Sequence, residues 1–416
     1  MKQHEDFAFD GTTTSLRRAM SKPRTWFGVA VLVLASTVPL SVAGGAASAT
    51  TLYVSPSAVA SAADTSCTTA AFSLIPSAIS AASPGTTIIV CPGTYPGPIT
   101  VTLAITLVGV NATINAAGAN NGVVIPASGA TLEGFTIEGA QGEGVLVTGT
   151  QGHPVTHVTV SGNIVKDNDQ GNPTGAPIST SSYRECNATG VVPGDCGEGI
   201  HLMVAAYSVV SNNLVENNSG GILVTDEFGP ADHNVIVNNT VANNTLDCGI
   251  TLPSHSTTAY VNGKLNAAAG GVFDNLVAGN TLLNNGTTGQ GAGILLAAAA
   301  PGGAVYNNVI RGNTVDGNGM SGITVHQHAP NQYLDHNVLV GNEIGVNNLL
   351  GDPDFQPADT SPTGILIGSV APLRITILRN TISNNTYGVW ASASVKMNGL
   401  ASNTFQSDTT TIYRAP

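Results

Sequence analysis

The sequence predicts an all-β chain wound into a right-handed parallel β-helix, a solenoid with a short capping helix at its N-terminal end. Two recurrences and one amphipathic segment carry this expectation. The first recurrence is Gly followed by an apolar-x-apolar triplet, at Gly122, Gly144, Gly199, Gly221, Gly249, Gly293, Gly322, Gly364 and Gly388. The steps between these glycines are 22, 55, 22, 28, 44, 29, 42 and 24, so a base period near 22 with loop insertions accounts for all of them. The second recurrence is Asn at 163, 213, 239, 280, 313, 342, 380 and 403, with an apolar residue three before and another two after each. Asn follows again five residues on at Asn168, Asn218, Asn244, Asn285, Asn318, Asn347 and Asn385, and only Asp408 departs.

Taken in order, residues 1–49 read as a signal peptide. Lys22 and Arg24 precede an apolar run from Trp26 to Leu40, and small residues lead to a cleavage site after Ala49. Met20 is an alternative start. Arg17-Arg18 raises a twin-arginine reading that the following residues fit poorly. Residues 50–416 form one domain, with loop insertions expected at 166–198, 253–270 and 348–363. Between Phe72 and Ala82, Leu74, Ile75, Ala78, Ile79 and Ala82 recur at helical spacing up to Ser83-Pro84-Gly85, which marks the capping helix. Thr86 to Tyr95 then reads as a strand and turn that start the first coil.

In the triplets, period-two alternation places Ile200 and Leu202, or Ile222 and Val224, on one face. A single coil cannot bury that face, whereas stacked coils bury it jointly. The recurrent Asn marks the corners between strands: Asn tolerates left-handed backbone, and its amide can bond the same amide one coil away.

Residues 1–49 hold five basic residues (Lys2, Arg17, Arg18, Lys22, Arg24) and three acidic ones (Glu5, Asp6, Asp10) of the chain's 13 and 25. The remainder keeps 8 and 22, a net charge of −14. Such a surface disfavours nucleic acid and anionic membranes, and no membrane span is expected once the signal is removed. Five cysteines fit an oxidising compartment. Cys67 with Cys91 and Cys186 with Cys196 are the expected pairs, leaving Cys248, although spacing alone leaves the connectivity open.

Loop insertions collect at corners, and the row after the triplet strand is the richest in chemistry. Successive coils there supply Tyr207, then Asp226, Glu227 and Phe228, then His255 and Tyr260, then Tyr306, then His326, His328 and Tyr333. Rings beside carboxylates and imidazoles suit sugar binding, with ring faces covering the apolar faces of pyranoses. Tyrosines that seal loops against the rod are the plainer account of the same residues. Asp226, Glu227 and Asp232 are the candidate catalytic acids. His326 and His328 form a His-x-His with His336 nearby, but His233 and His336 lie too many coils apart to share an ion, so no metal site is expected.

At Cys91-Pro-Gly-Thr-Tyr95, the Asn-Thr-Val repeats and the Gly-Ile-x-Leu repeats, the chain resembles the secreted right-handed β-helix proteins of the pectin-lyase-like superfamily, with NosD-like, PbH1-type repeats. The likeness spans roughly residues 51 to 410. It implies a coil shared by pectate lyases, polygalacturonases, alginate-acting enzymes, tailspikes, adhesins and NosD-like copper-associated proteins, so the fold does not choose an activity. The Asp-Asp, Gly-His-Gly and Arg-Ile-Lys patterns of polygalacturonases are absent, as is the dense Lys/Arg set of pectate lyases. The expected function is therefore an exported or cell-surface protein that contacts a polysaccharide or surface glycan along the loop-lined corner. A polysaccharide lyase or glycoside hydrolase and a NosD-like metal-associated protein are the alternatives. No cofactor is expected, save a divalent cation such as calcium if the substrate is acidic.

Overall fold

A computed structural model describes residues 50–59, 63–168, 197–288, 291–351 and 360–415. The segment read as a signal, the Cys186 and Cys196 pair and most of the insertions at 166–198 and 348–363 lie outside these residues. Among the described residues there is one α-helix, and no helix is long and apolar enough to cross a membrane.

The strands pair in parallel from coil to coil. The Gly triplets build one sheet of 11 strands, here called the triplet sheet, in which Ile200 pairs with Ile222, Ile250 with Ile294 and Ile294 with Ile323. A 21-stranded sheet carries the strands on either side of the recurrent Asn. A five-stranded sheet, made of residue pairs such as Ala231–Asp232, Val272–Phe273 and Val305–Tyr306, follows the loops after the triplet strands. Inward side chains such as Ile222, Val224, Ile236 and Val241 form one continuous, nearly solvent-free core along the axis. The glycine that opens each triplet is demanded by close approach. A Cβ on Gly221 would meet Gly249 O at 2.1 Å and Val241 Cγ1 at 2.3 Å.

The helix α1 spans Ile75–Ala81 and buries Ile75, Ala78 and Ile79. It starts later than the apolar spacing predicts because Pro76 has no N–H and fits only the first turn. Leu74 is therefore the extended N-cap residue. Cys67 and Cys91 form the expected disulfide, with Cα atoms 5.7 Å apart. Closing a loop of 24 residues removes about 3 kcal/mol of unfolded-state entropy. The Cys67→Ser/Cys91→Ser variant should lose stability on that scale, and chemical denaturation with and without reductant checks it. Cys248 is a buried free thiol whose pKa is pushed well up by burial and by the neighbouring Asp247.

Asn side chains stack as expected, in three ladders rather than two. Asn213 N and Nδ2 donate to Asn239 Oδ1 at 3.0 and 2.9 Å, and the same Nδ2 donates to Val160 O at 3.0 Å. The ladder through Asn168, Asn218 and Asn244 repeats this pattern and ends where Asn385 donates to Asp408. The unanticipated ladder runs through Ser208, Asn234, Asn275, Asn308 and Asn337. The backbone reason differs from the expected one. The left-handed residue at each corner is the one before the inward Asn, for example Asn212, Asn238 and Gly279 before Asn213, Asn239 and Asn280.

Candidate functional site

The left-handed residue at every corner points outward, so each ladder is shadowed by a column of outward side chains. In the column beside Asn163 to Asn342 those residues are Gly162, Asn212, Asn238, Gly279, Gly312 and Gly341, types that adopt positive φ at little cost. Beside Asn168 to Asn318 they are Asp167, Asn217, Asn243, Asn284 and Gly317. The column beside the third ladder reads His157, Tyr207, His233, Asp274, Asn307 and His336 instead. All six are exposed. Tyr207, at φ 51°, is an aromatic residue held where aromatics are rarely found.

The rings of this corner form a continuous line. His157 stacks on Tyr207 at 5.6 Å, and Tyr207 stacks on His233 at 4.6 Å, with interplanar angles of 11° and 20°. The line continues edge-on to Phe273, which stacks on Tyr306 at 4.8 Å, and Tyr306 meets Tyr333 at 5.7 Å. Tyr260 joins from the loop, 5.2 Å from Tyr333. Exposure divides the line in two. Tyr207 is 51% exposed, whereas Phe273 and Tyr306 are 8% and 7% exposed and pack with Ala259 and Ala304. Burial pushes the Tyr306 phenol up to about 12, with Asp274 and Asp232 adding to the shift.

The expected corner is thus partly assembled. Tyr207, Tyr260, Tyr306 and Tyr333 belong to it. Phe228 packs elsewhere, against Leu146, Met203 and Val204. His326 is buried on the outer face of the triplet sheet, where it pairs in register with Ala297 and Gly368, and its ring meets His328 edge-on at 5.0 Å. His157, Phe273 and His336 were not anticipated in the line. The signal for Phe273 and His336 is the Asn five residues before Asn280 and Asn342, because that position marks the third corner; His157 lacks it, since Val158 stands there.

The three candidate acids occupy separate environments. Asp226 is fully buried and accepts from Ser254 Oγ at 2.8 Å and from the backbone N–H groups of His255, Ser256 and Gly271. These four bonds fill the capacity of a carboxylate and tie its loop to the next coil's. Burial raises its pKa, against the hydrogen bond from Ser254 and the charge of His255. Asp232 accepts from His233 Nδ1 at 2.6 Å on the ring corner. Glu227 belongs to a chain of polar contacts across the triplet sheet. Glu143 Oε1 lies 3.3 Å from His201 Nδ1, and His201 Nε2 lies 2.7 Å from Thr225 Oγ1. Thr225 donates to Glu227, which faces His255 Nδ1 at 2.8 Å. Because the Thr225 hydroxyl spends its proton on Glu227, His201 donates to it through Nε2. Among the described residues, no three His, Cys, Asp or Glu side chains converge as a metal-holding group.

A family model for the right-handed β-helix region matches residues 110–273, and the model for the periplasmic copper-binding protein NosD matches 227–352 and 261–415. Together with the parallel coil, these matches define a right-handed parallel β-helix repeat protein. The NosD matches fall in the C-terminal half of the chain, and the β-helix match covers the coils before them. Similar solved structures include pectate lyase Pel9A, at 16% identity over 86% of this chain and 79% of that one, TM-score 0.46. An alginate lyase from Paenibacillus sp. str. FPU-7 is 14% identical over 87% of this chain and 98% of that one, TM-score 0.40. The Dettilon tailspike protein is 15% identical over 81% and 63%, TM-score 0.42. No curated protein matches the sequence significantly.

Proposed function

We propose that the protein is exported and binds a glycan along the exposed column from His157 to His336. The observation that supports this reading is the choice of residue at left-handed positions. Two corners use residues that mostly tolerate positive φ, while the third spends about 1 kcal/mol at Tyr207 to present a ring outward. One polar side chain per coil, at a rise of about 4.8 Å, suits a linear polymer lying along the rod. Because His157, Tyr207 and His233 turn their faces to one another, they offer edges, ring nitrogens and a hydroxyl rather than a platform for pyranose faces. Contact is then made by hydrogen bonds to sugar hydroxyls, with Asp274 and Asn307 contributing acceptors. The family match to a periplasmic protein agrees with export.

The polar chain from Glu143 to His255 favours a second reading, turnover of the glycan, because imidazoles and carboxylates held together out of water are typical of acid–base sites. A glycan array with release of reducing ends measured in parallel separates the two. In Tyr207→Asn, relief of left-handed strain and loss of ring stacking are each about 1 kcal/mol and opposite in sign. The melting temperature should therefore change little while array binding weakens several-fold. Intact binding in this variant, or no binding by the wild type, would remove the corner from consideration.

A further inference from the structure

Between the ring corner and the corner of Asn212 and Asn238, each coil turns two side chains outward on either side of an inward one. The first of the two stands two residues after the corner residue. It reads Val209, Val235, Leu276, Val309 and Val338 in five consecutive coils, which pair in register. All five are half-buried although they project from the outer face of the sheet. The second column adds Val237 and Val340, with Arg311 as the charged residue among them. The next face of the same sheet carries Thr240, Thr281, Thr314 and Glu343 at the equivalent outward position. Thr shares the β-branched shape and the strand preference of Val, so strand propensity does not account for an aliphatic stripe on one face only.

We propose that this stripe and the polar column beside it bind a neutral polysaccharide that carries acetyl esters, with sugar hydroxyls on the column and acetyl methyl groups on the stripe. The inference rests on the glycan reading of the corner and names the chemical class that the corner prefers. Area decides against a protein occupant. Four steps of about 4.8 Å and two columns about 7 Å apart give, with the width of the side chains, a patch on the order of 300 Å². A stable protein partner covers about 800 Å². A strip five coils long and one or two side chains wide fits a linear chain instead. Tyr207 stands two residues before Val209, His233 before Val235 and Asp274 before Leu276, so every coil pairs a hydrogen-bonding group with an apolar contact. A flat sheet face touches an apolar group on one side only, so short substituents repeated along a polymer use it better than one long acyl chain. Beyond residue 49 the net charge is −14, and Asp232 and Asp274 lie at the corner, which favours a neutral polymer over a uronate.

Isothermal titration of the full chain with O-acetylated xylan and mannan oligosaccharides, and with the same oligosaccharides after alkaline deacetylation, tests the proposal. Both forms are neutral, so charge does not separate them. Burial of one methyl group is worth about a 4-fold gain in affinity, and the acetylated form should bind tighter by at least that factor. Val235→Thr/Leu276→Thr should erase the preference and leave binding of the deacetylated form unchanged. Thr159 and Thr376 already stand at the two ends of this column, so the coil accommodates Thr there. Thr281→Val, on the next face, should change neither affinity. Equal binding of both forms by the wild type, weakened by Tyr207→Asn, would overturn this inference while the glycan corner stands. Absence of binding by either form would overturn the corner reading and this inference with it. A preference for acetyl groups that survives the double variant would overturn the role of the stripe. So would a wild type that sediments as a dimer and a double variant that sediments as a monomer, because the stripe would then join two copies of the chain.

Discussion

Tyr306→Ala is expected to lower the stability of the protein by about 3 kcal/mol, because a large ring that is 7% exposed leaves a cavity lined by Phe273, Ala259 and Ala304. The ring bridges two coils by stacking on Phe273 and meets Tyr333 edge-on, so its removal also costs two aromatic contacts. Read from the sequence, Tyr306 is either a sugar-contacting ring, whose loss would weaken binding and spare the fold, or a ring that seals its loop, whose loss would lower stability. Its place in the buried half of the line favours the second. Tyr306→Phe keeps the packing and should cost under about 1 kcal/mol near neutral pH. The two proteins should part at alkaline pH. The Tyr306 phenol is raised from 10 to about 12 in the folded state, so an unfolded chain ionises first. The resulting contribution to stability is present below pH 10 and is lost as the pH rises through about 12. Urea unfolding from pH 8 to 12 should show this component in the wild type and not in Tyr306→Phe.

Asn313→Ala should cost about 3 kcal/mol as well, by a different route. Asn313 Oδ1 accepts from Asn280 N and Nδ2 at 2.9 and 3.0 Å. Its own Nδ2 donates to Val277 O at 3.1 Å and Asn342 Oδ1 at 3.0 Å. Truncation removes the acceptor of Asn280 N and of one Asn280 Nδ2 hydrogen, whose other hydrogen still bonds Ile236 O, and the donor to Val277 O, and each bond lost in the interior costs about 1 kcal/mol or more. Asn313→Asp keeps the acceptor and loses the donors, so it should fall between Ala and wild type. Asp408 occupies that role where one ladder ends. Unfolding midpoints in urea check both variants, and equal midpoints for Asn313→Ala and wild type would contradict the ladder as a source of stability.

The coil was legible because its cause is local and repeated. Gly221 and its equivalents stand where a neighbouring backbone comes within van der Waals contact, and Asn213 and its equivalents stand where an amide must bridge coils. Both demands recur every turn and leave a periodic trace. The Cys67–Cys91 link and the capping helix were legible for a similar reason, since each closes a short stretch of chain. The third ladder was equally periodic, five residues before the middle one, and Ser208 at its first rung hid it. The ring corner was less legible. Its members sit at unequal distances from the ladder, one residue before it for Tyr207 and His233 and two for Phe273 and Tyr306, and the loops between the triplet strand and that corner differ in length from coil to coil.

The sequence by itself determined the parallel coil, its stacking period, its N-terminal cap and the face that each triplet buries, because burial and backbone pairing act on every coil alike. Only the tertiary structure showed which rings seal and which are exposed: Tyr207 stands directly before ladder residue Ser208 and lies outside, whereas Tyr306 stands two before Asn308, in register with Phe273, and lies inside. It also decided that Asp226 is a loop staple, that Glu227 faces His255, and that His233 lies between Asp232 and Asp274. These outcomes depend on where loops of unequal length return to the rod, and that is set by contacts between coils many residues apart rather than by any period within the chain.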